Sequence, residues 1–247
     1  MVNCLQADAG RPRPRGRRWW RWLLSVVGVL LAAFYGLWVY PFWGFPFNAQ
    51  RHTHVPLTPA WALECWLWKS DTNTAAAVEE LLAGYARHDI PVRTVLIDSP
   101  WSTRYNDFQV DEMRYPDPAR FFGGLQTNGY RVVLWMTSMV NSRSKDTAIR
   151  DSSDHYQFAR TNGFLVGDGH EVGWWKGRGA FLDYTHPGAL RWWHGMQQPL
   201  FDWGIDGWKL DGTDTLFSGP GFLPYQRTHA GWMSTRAYMA IRTLRAI

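Results

Sequence analysis

Cysteine is scarce in this 247-residue chain, with only Cys4 and Cys65 present. Neither has metal-ligand spacing, and the two flank a long apolar segment, which argues against a disulfide framework. No GxGxxG or P-loop occurs, so the usual nucleotide-binding signatures are missing. Past residue 21 there is no excess of basic side chains. Six arginines and one aspartate in residues 1–21 account for the formal charge of +5, and Lys plus Arg balance Asp plus Glu thereafter. A globular part without a basic stripe offers no footing to nucleic acid. No internal repeat or low-complexity tract appears beyond the arginine-rich arm RPRPRGRR.

Charge of either sign is also absent between Arg21 and Arg51, and that gap is apolar. The stretch Trp22 to Tyr40 has 19 residues, close to the ~20 that cross a bilayer as a helix. Trp19, Trp20 and Trp22 at one end and Trp38, Tyr40 and Trp43 at the other resemble the aromatic belts of spanning helices. The expectation is a transmembrane helix over 22–40 behind a basic arm, residues 1–21. The arginines keep the N-terminus cytoplasmic and leave the remainder in the periplasm, a lumen or the cell exterior. A cleaved signal peptide is the competing reading, although its apolar core normally runs only ~7 to 15 residues. Residues 41–60, rich in Pro and aromatics, read as a linker. His52 and His54 within it lack further ligands for a metal.

From Trp61 onward, apolar runs alternate with amphipathic helices. Ala62 to Trp68 reads as a strand, and Asp71 to Asn73 offer caps for a helix over Ala75 to His88. Val92 to Asp98 is a second strand. Asp117 and Pro118 start a helix that ends at Asn128 and Gly129, and Arg131 to Thr137 is a third strand. Asn141 to Thr185 is too long for an ordinary connection and reads as an active-site loop with structure of its own. His186 and Pro187 open a helix through Trp203, Ile205 to Leu210 is a fourth strand, and His229 to Ile247 reads as a further helix.

This order predicts an α/β fold with a parallel sheet, of the (β/α)8 TIM-barrel type. Residues 61–247 hold about four of the eight βα units a closed barrel takes, and the chain stops within a helical pattern without a Gly or Pro stop signal. In such barrels catalytic groups sit at the C-terminal ends of strands. The segment GIDGWKLDGTD, Gly204 to Asp214, places Asp206, Lys209, Asp211 and Asp214 at such an end. Asp211 is the leading candidate for a reacting group, paired with Asp98 at the end of the second strand. Asp206 reads as a turn or cap residue. Asp183 reads as either a helix-start residue or a support of the site. Trp174, Trp175, Trp192 and Trp193 read as core packing more than as contacts to a ligand.

These residues carry a resemblance. GIDGWKLDGTD resembles the nucleophile motif of glycoside hydrolase family 31, the retaining α-glycosidases. VLIDSPW (Val95 to Trp101), the block from Tyr115 to Val140, and FLDYTHPGALRWW (Phe181 to Trp193) are similar to further motifs of that family in the same order. The resemblance implies an α-linked carbohydrate substrate, no cofactor and no metal. It implies Asp211 as nucleophile and Asp98 as the acid that holds sugar hydroxyls. Trp101 and Trp135 would line the same subsite. Lys209 would favour the ionised nucleophile. Asp214 stands where the family usually has Glu, one methylene longer. The family's acid/base falls past the end of the chain, so a truncated, membrane-anchored glycosidase is expected. The alternative is a non-catalytic carbohydrate-binding relic of the same fold.

Overall fold

A computed structural model describes residues 19–40, 58–70, 72–146, 149–211 and 224–246. The first described element is α1, Trp19–Phe34, which continues as a π-helical stretch over Tyr35–Val39. The 21 residues form one apolar helix with none of its length buried against the rest of the chain. Residues 1–18 of the arm and residues 41–57 of the linker lie outside the described residues.

The main sheet has four parallel strands in the order β1 (Trp66–Lys69), β2 (Thr94–Ile97), β3 (Arg131–Met136) and β7 (Gly207–Leu210). Helices link them as the alternating pattern requires. Between β1 and β2 runs α2, Ala75–Arg87, and between β2 and β3 runs α3, Pro118–Thr127. The helix leading into β7 is α5, Pro187–Asp202. The first strand is shorter than its apolar run, because Ala60–Leu63 closes a 3-10 turn and pairing begins only at Trp66, opposite Thr94.

Alternation along the strands divides the side chains between two faces. Leu67, Val95, Ile97, Val132, Leu134, Met136 and Trp208 point to the helical side and are buried in one core. There Val78 and Leu82 of α2, one helical turn apart, meet Phe121, Phe122 and Leu125 of α3. Trp208 packs edge-on against Phe108 and Phe201, and burial of a phenylalanine side chain such as Phe108 contributes roughly 1.5–3 kcal/mol. The opposite face carries Trp66, Trp68, Leu96, Val133 and Lys209.

One cap differs from the sequence reading and two agree with it. Thr74, not Asp71 to Asn73, caps α2, its hydroxyl accepting from Ala77 N at 3.2 Å. Asp117 caps α3 from a left-handed backbone with Pro118 in the first turn, and His186 caps α5 through Nδ1, which accepts from Gly188 N and Ala189 N.

The long excursion folds as β4 (Met139–Ser144), α4 (Ser153–Thr161), β5 (Val172–Trp174) and β6 (Gly177–Phe181). Its strands form an antiparallel sheet in the order β4-β6-β5. A side chain at Gly177 or Gly179 would run into the carbonyls of Arg143 and Val140, so glycine is what lets β6 lie against β4.

The helix expected from His229 begins later. Tyr225–Thr228 (β8) and Gly231–Ser234 (β9) form a hairpin that turns through His229 and Ala230 into Gly231, whose φ of +101° suits glycine. Only then does α6 run over Thr235–Arg245, with the Ser234 hydroxyl accepting from Ala237 N.

Candidate active site

Strand register assembles the site. Ile97 pairs with Leu134 and Trp135 pairs with Lys209, so Asp98, Trp135 and Lys209 stand in one row across three parallel strands and share a face. Asp211, two residues beyond Lys209, returns to that face. The ladder continues past the strand ends, with Asp98 N donating to Lys69 O and Asp211 N to Met136 O, both at 2.9 Å. Backbone pairing therefore holds both carboxylates at the C-terminal rim of the sheet.

Lys209 lies between them. Its Nζ is 2.7 Å from Asp98 Oδ2 and 3.7 Å from Asp211 Oδ2. The cation is thus closer to Asp98 than to the residue it was expected to serve. Asp98, nearly buried, has its oxygens occupied by three donors: Lys209 Nζ, Trp68 Nε1 at 2.7 Å and Ser99 N at 2.8 Å. Asp211 is more open, its side chain 36% exposed, and its Oδ2 accepts from Trp135 Nε1 at 2.8 Å. One carboxylate is held on several sides, and the other retains a free edge.

The tryptophans have distinct roles. Trp135 is 3% exposed and stacks on Trp174 at 6.3 Å with its planes 16° apart, so its indole N–H is aimed by packing. Trp174 meets Trp175 edge-on and leaves it 45% exposed. Trp101 reaches Trp135 but is 2% exposed, wedged against Trp208 with Nε1 on the Trp135 carbonyl at 2.8 Å. It braces β3 from beneath and offers no open face to the cluster. Trp193 is fully buried under Phe108 and Tyr184, as a core residue.

Asp183 lies apart from the two carboxylates. Its Oδ1 accepts from Thr185 N and Oγ1, and its Oδ2 from His229 N at 2.5 Å, tying the start of α5 to the β8–β9 hairpin. Asp206 is structural: it accepts from Arg131 Nη1 and Val132 N at the other end of β3. Asp214 lies outside the described residues.

Two residues that sequence reasoning passed over belong here. Trp68 is 61% exposed, donates to Asp98 and lies under the Lys209 ammonium, 5.5 Å from its ring. Its place two residues before the rim of β1, on the Asp98 side of the pleat, was the available signal. Asn73 is fully buried, donates to Ser70 O and Asp98 O, and accepts from Tyr115 OH at 2.7 Å. No local pattern marks it, because its partners lie on three separate segments.

Comparisons with known proteins bear on the family and the fold. The family profile described as glycosyl hydrolases family 31 TIM-barrel domain matches residues 55–239. An alpha-xylosidase of Lactiplantibacillus pentosus is 26% identical over 64% of this chain and 20% of its own length. The myogenesis-regulating glycosidase of Mus musculus is 31% identical over 53% of this chain and 18% of its own. Among solved structures, the family 31 alpha-xylosidase from a soil metagenome superposes with a TM-score of 0.61 at 21% identity, covering 76% of this chain and 27% of that one. The chain spans about a fifth of the length of the curated relatives it matches. A profile match over most of the chain, with a parallel sheet carrying Asp98 and Asp211 at its C-terminal rim, shows that the chain belongs to glycoside hydrolase family 31, through part of its TIM-barrel domain.

Proposed function

We propose that this chain carries the nucleophile side of an α-glycosidase site, anchored to a membrane by α1. The observation that carries this reading is the convergence of Asp98 and Asp211 on Lys209, with Asp211 oriented by the indole of Trp135 and open along one edge.

In a retaining double displacement, a carboxylate oxygen of Asp211 attacks the anomeric carbon as the bond to the leaving oxygen breaks. That oxygen takes a proton from a second carboxylic acid about 5 to 5.5 Å from the nucleophile. Water, deprotonated by that same group in the carboxylate form left by the first step, then releases the sugar from the glycosyl ester. Asp98 is unsuited to the second role, since all three of its hydrogen bonds are accepted ones. It suits the sugar-holding role, where a fixed acceptor meets hydroxyl protons. No described residue is assigned as the acid. Lys209 shares its charge between the carboxylates, and Trp68 and Trp175 present open aromatic faces to a pyranose.

The alpha-xylosidases named above support an α-linked xyloside as substrate, and the family resemblance extends the class to α-linked glucosides. The arginine-rich arm ahead of α1 supports a cytoplasmic N-terminus and a site on the other side of the membrane. The deciding experiment is hydrolysis of chromogenic α-xyloside and α-glucoside by the full polypeptide containing residues 1–247, against its Asp211→Asn form. Turnover lost in Asp211→Asn, with sugar binding kept, supports the reading, whereas unchanged turnover overturns it. Binding without turnover in the unsubstituted protein would instead support a carbohydrate-binding relic.

A further inference from the structure

A second concave site lies away from the carboxylates, between the excursion and the β8–β9 hairpin. Its cavity of about 540 Å³ falls within the range of small-ligand sites and shares no lining residue with the Asp98–Lys209–Asp211 cluster. The hairpin register builds one wall. Arg227 pairs with Trp232 and Tyr225 with Ser234, so Tyr225, Arg227 and Trp232 share a face, while Gln226 and Thr228 are buried on the other. Phe181, His170 and Asp168 stand opposite. Trp232 is 73% exposed and so adds nothing to the core, yet it borders a cavity.

The polar groups narrow the occupant. Arg227 Nη1 and Asp168 Oδ2 are 3.4 Å apart, with side chains 65% and 83% exposed, so the pair is loose and its remaining donors and acceptors face water. The two charges cancel, and such a pair recognises a neutral ligand better than an anion. A guanidinium that donates, a carboxylate that accepts and flat aromatic faces beside them match a ring bearing adjacent hydroxyls on one apolar face. The wall is held in place from behind. His229 N donates to Asp183 Oδ2 and Ala230 N to Thr185 Oγ1, which fastens the hairpin turn to the residues just after β6.

We infer that this pocket is a second, non-catalytic binding site for a neutral α-linked oligosaccharide, with Trp232 as stacking platform and the Asp168–Arg227 pair as hydroxyl clamp. The chemistry of the pocket asks for a polyhydroxylated ring, and the choice of an α-linked glycan rests on the glycosidase reading. Such a site retains a substrate chain on the protein between turnovers.

The test is calorimetric titration of maltotriose and isomaltotriose into the full chain and its Trp232→Ala, Trp232→Phe, Asp168→Asn and Asp98→Ala forms, with circular dichroism to confirm that each is folded. Trp232→Ala should weaken one binding event about tenfold, the loss expected for a stacked aromatic and its neighbours. Trp232→Phe should recover most of the affinity, Asp168→Asn should weaken the same event, and Asp98→Ala should leave it intact. The inference is overturned if neither sugar binds, if Trp232→Ala binds as the unsubstituted chain does, or if Asp98→Ala removes all binding. Trp232-dependent binding in a protein that hydrolyses no glycoside would reject the glycosidase reading and leave this site standing.

Discussion

The indole N–H of Trp135 donates to Oδ2 of Asp211 across 2.8 Å, from a ring fixed by stacking on Trp174. The bond joins neighbouring strands of a parallel pair and sets which edge of the carboxylate stays open. Trp135→Phe keeps the stack and removes the donor. In the full polypeptide kcat should fall about tenfold to a hundredfold, the range of one hydrogen bond to a charged group, with KM little changed. Asp211→Asn should abolish turnover, because the amide keeps the shape without the nucleophile. Steady-state kinetics on α-xylosides compare the two, and equal kcat for Trp135→Phe and the unsubstituted protein would deny Trp135 its positioning role.

Asp98 and Lys209 should separate binding from stability. Asp98→Ala removes a fixed acceptor and should raise KM and lower kcat together. Lys209→Met leaves Asp98, with a side chain only 10% exposed, short of its ammonium partner. The loss in folding stability should be about 1–3 kcal/mol, the cost of an under-satisfied buried acceptor. Denaturant melts of both variants check this, and a Lys209→Met protein as stable as the parent would refute it.

Asn73 clips the rim of the sheet from below through Ser70 O, Asp98 O and Tyr115 OH. Asn73→Ala should cost about 1–3 kcal/mol, since buried groups lose their partners at once. It should also raise hydrogen exchange at Asp98 N and Ser99 N relative to the rest of β2. Uniform exchange along β2 would show that the clip does not govern the rim.

His155 packs edge-on against Trp192, and its Nδ1 is enclosed with no hydrogen-bond partner among the described residues. Burial pushes its imidazole below the usual value of 6.5, with the Arg104 guanidinium adding to the effect. Below that ordinary value the unfolded chain takes up a proton that the folded chain refuses. The stabilisation is therefore present above about pH 6.5 and is lost as pH falls toward the depressed folded value. His155→Leu should flatten this part of the profile. Melting temperatures at about pH 7.5 and pH 5.5 on both proteins measure it, and identical pH dependence would exclude His155 as the source.

The α1 helix should keep the protein in membranes through alkaline carbonate washing, with residues beyond the linker on the side opposite the arginine arm. A reporter fused after Ala60 that works only in the cytoplasm would reverse this topology.

By itself the sequence determined the alternation of strand and helix, because apolar period and the cap signals at Asp117, Pro118, His186 and Pro187 are local properties of the chain. It also determined that Asp98 and Asp211 stand at strand ends, since each directly follows an apolar run. Tertiary structure decided what those carboxylates touch. Lys209 stands two residues from Asp211 in sequence but lies closer to Asp98, because register places it in the row of Trp135 and Asp98. Trp68, Asn73 and the indole of Trp135 became partners of the site only through pairing between strands. The hairpin at Tyr225 to Ser234 replaced the start of an expected helix because Asp183, far away in sequence, accepts from its turn at His229. Period and caps act within a few residues, whereas hydrogen bonds between segments depend on register and packing, and these exist only once the strands have met.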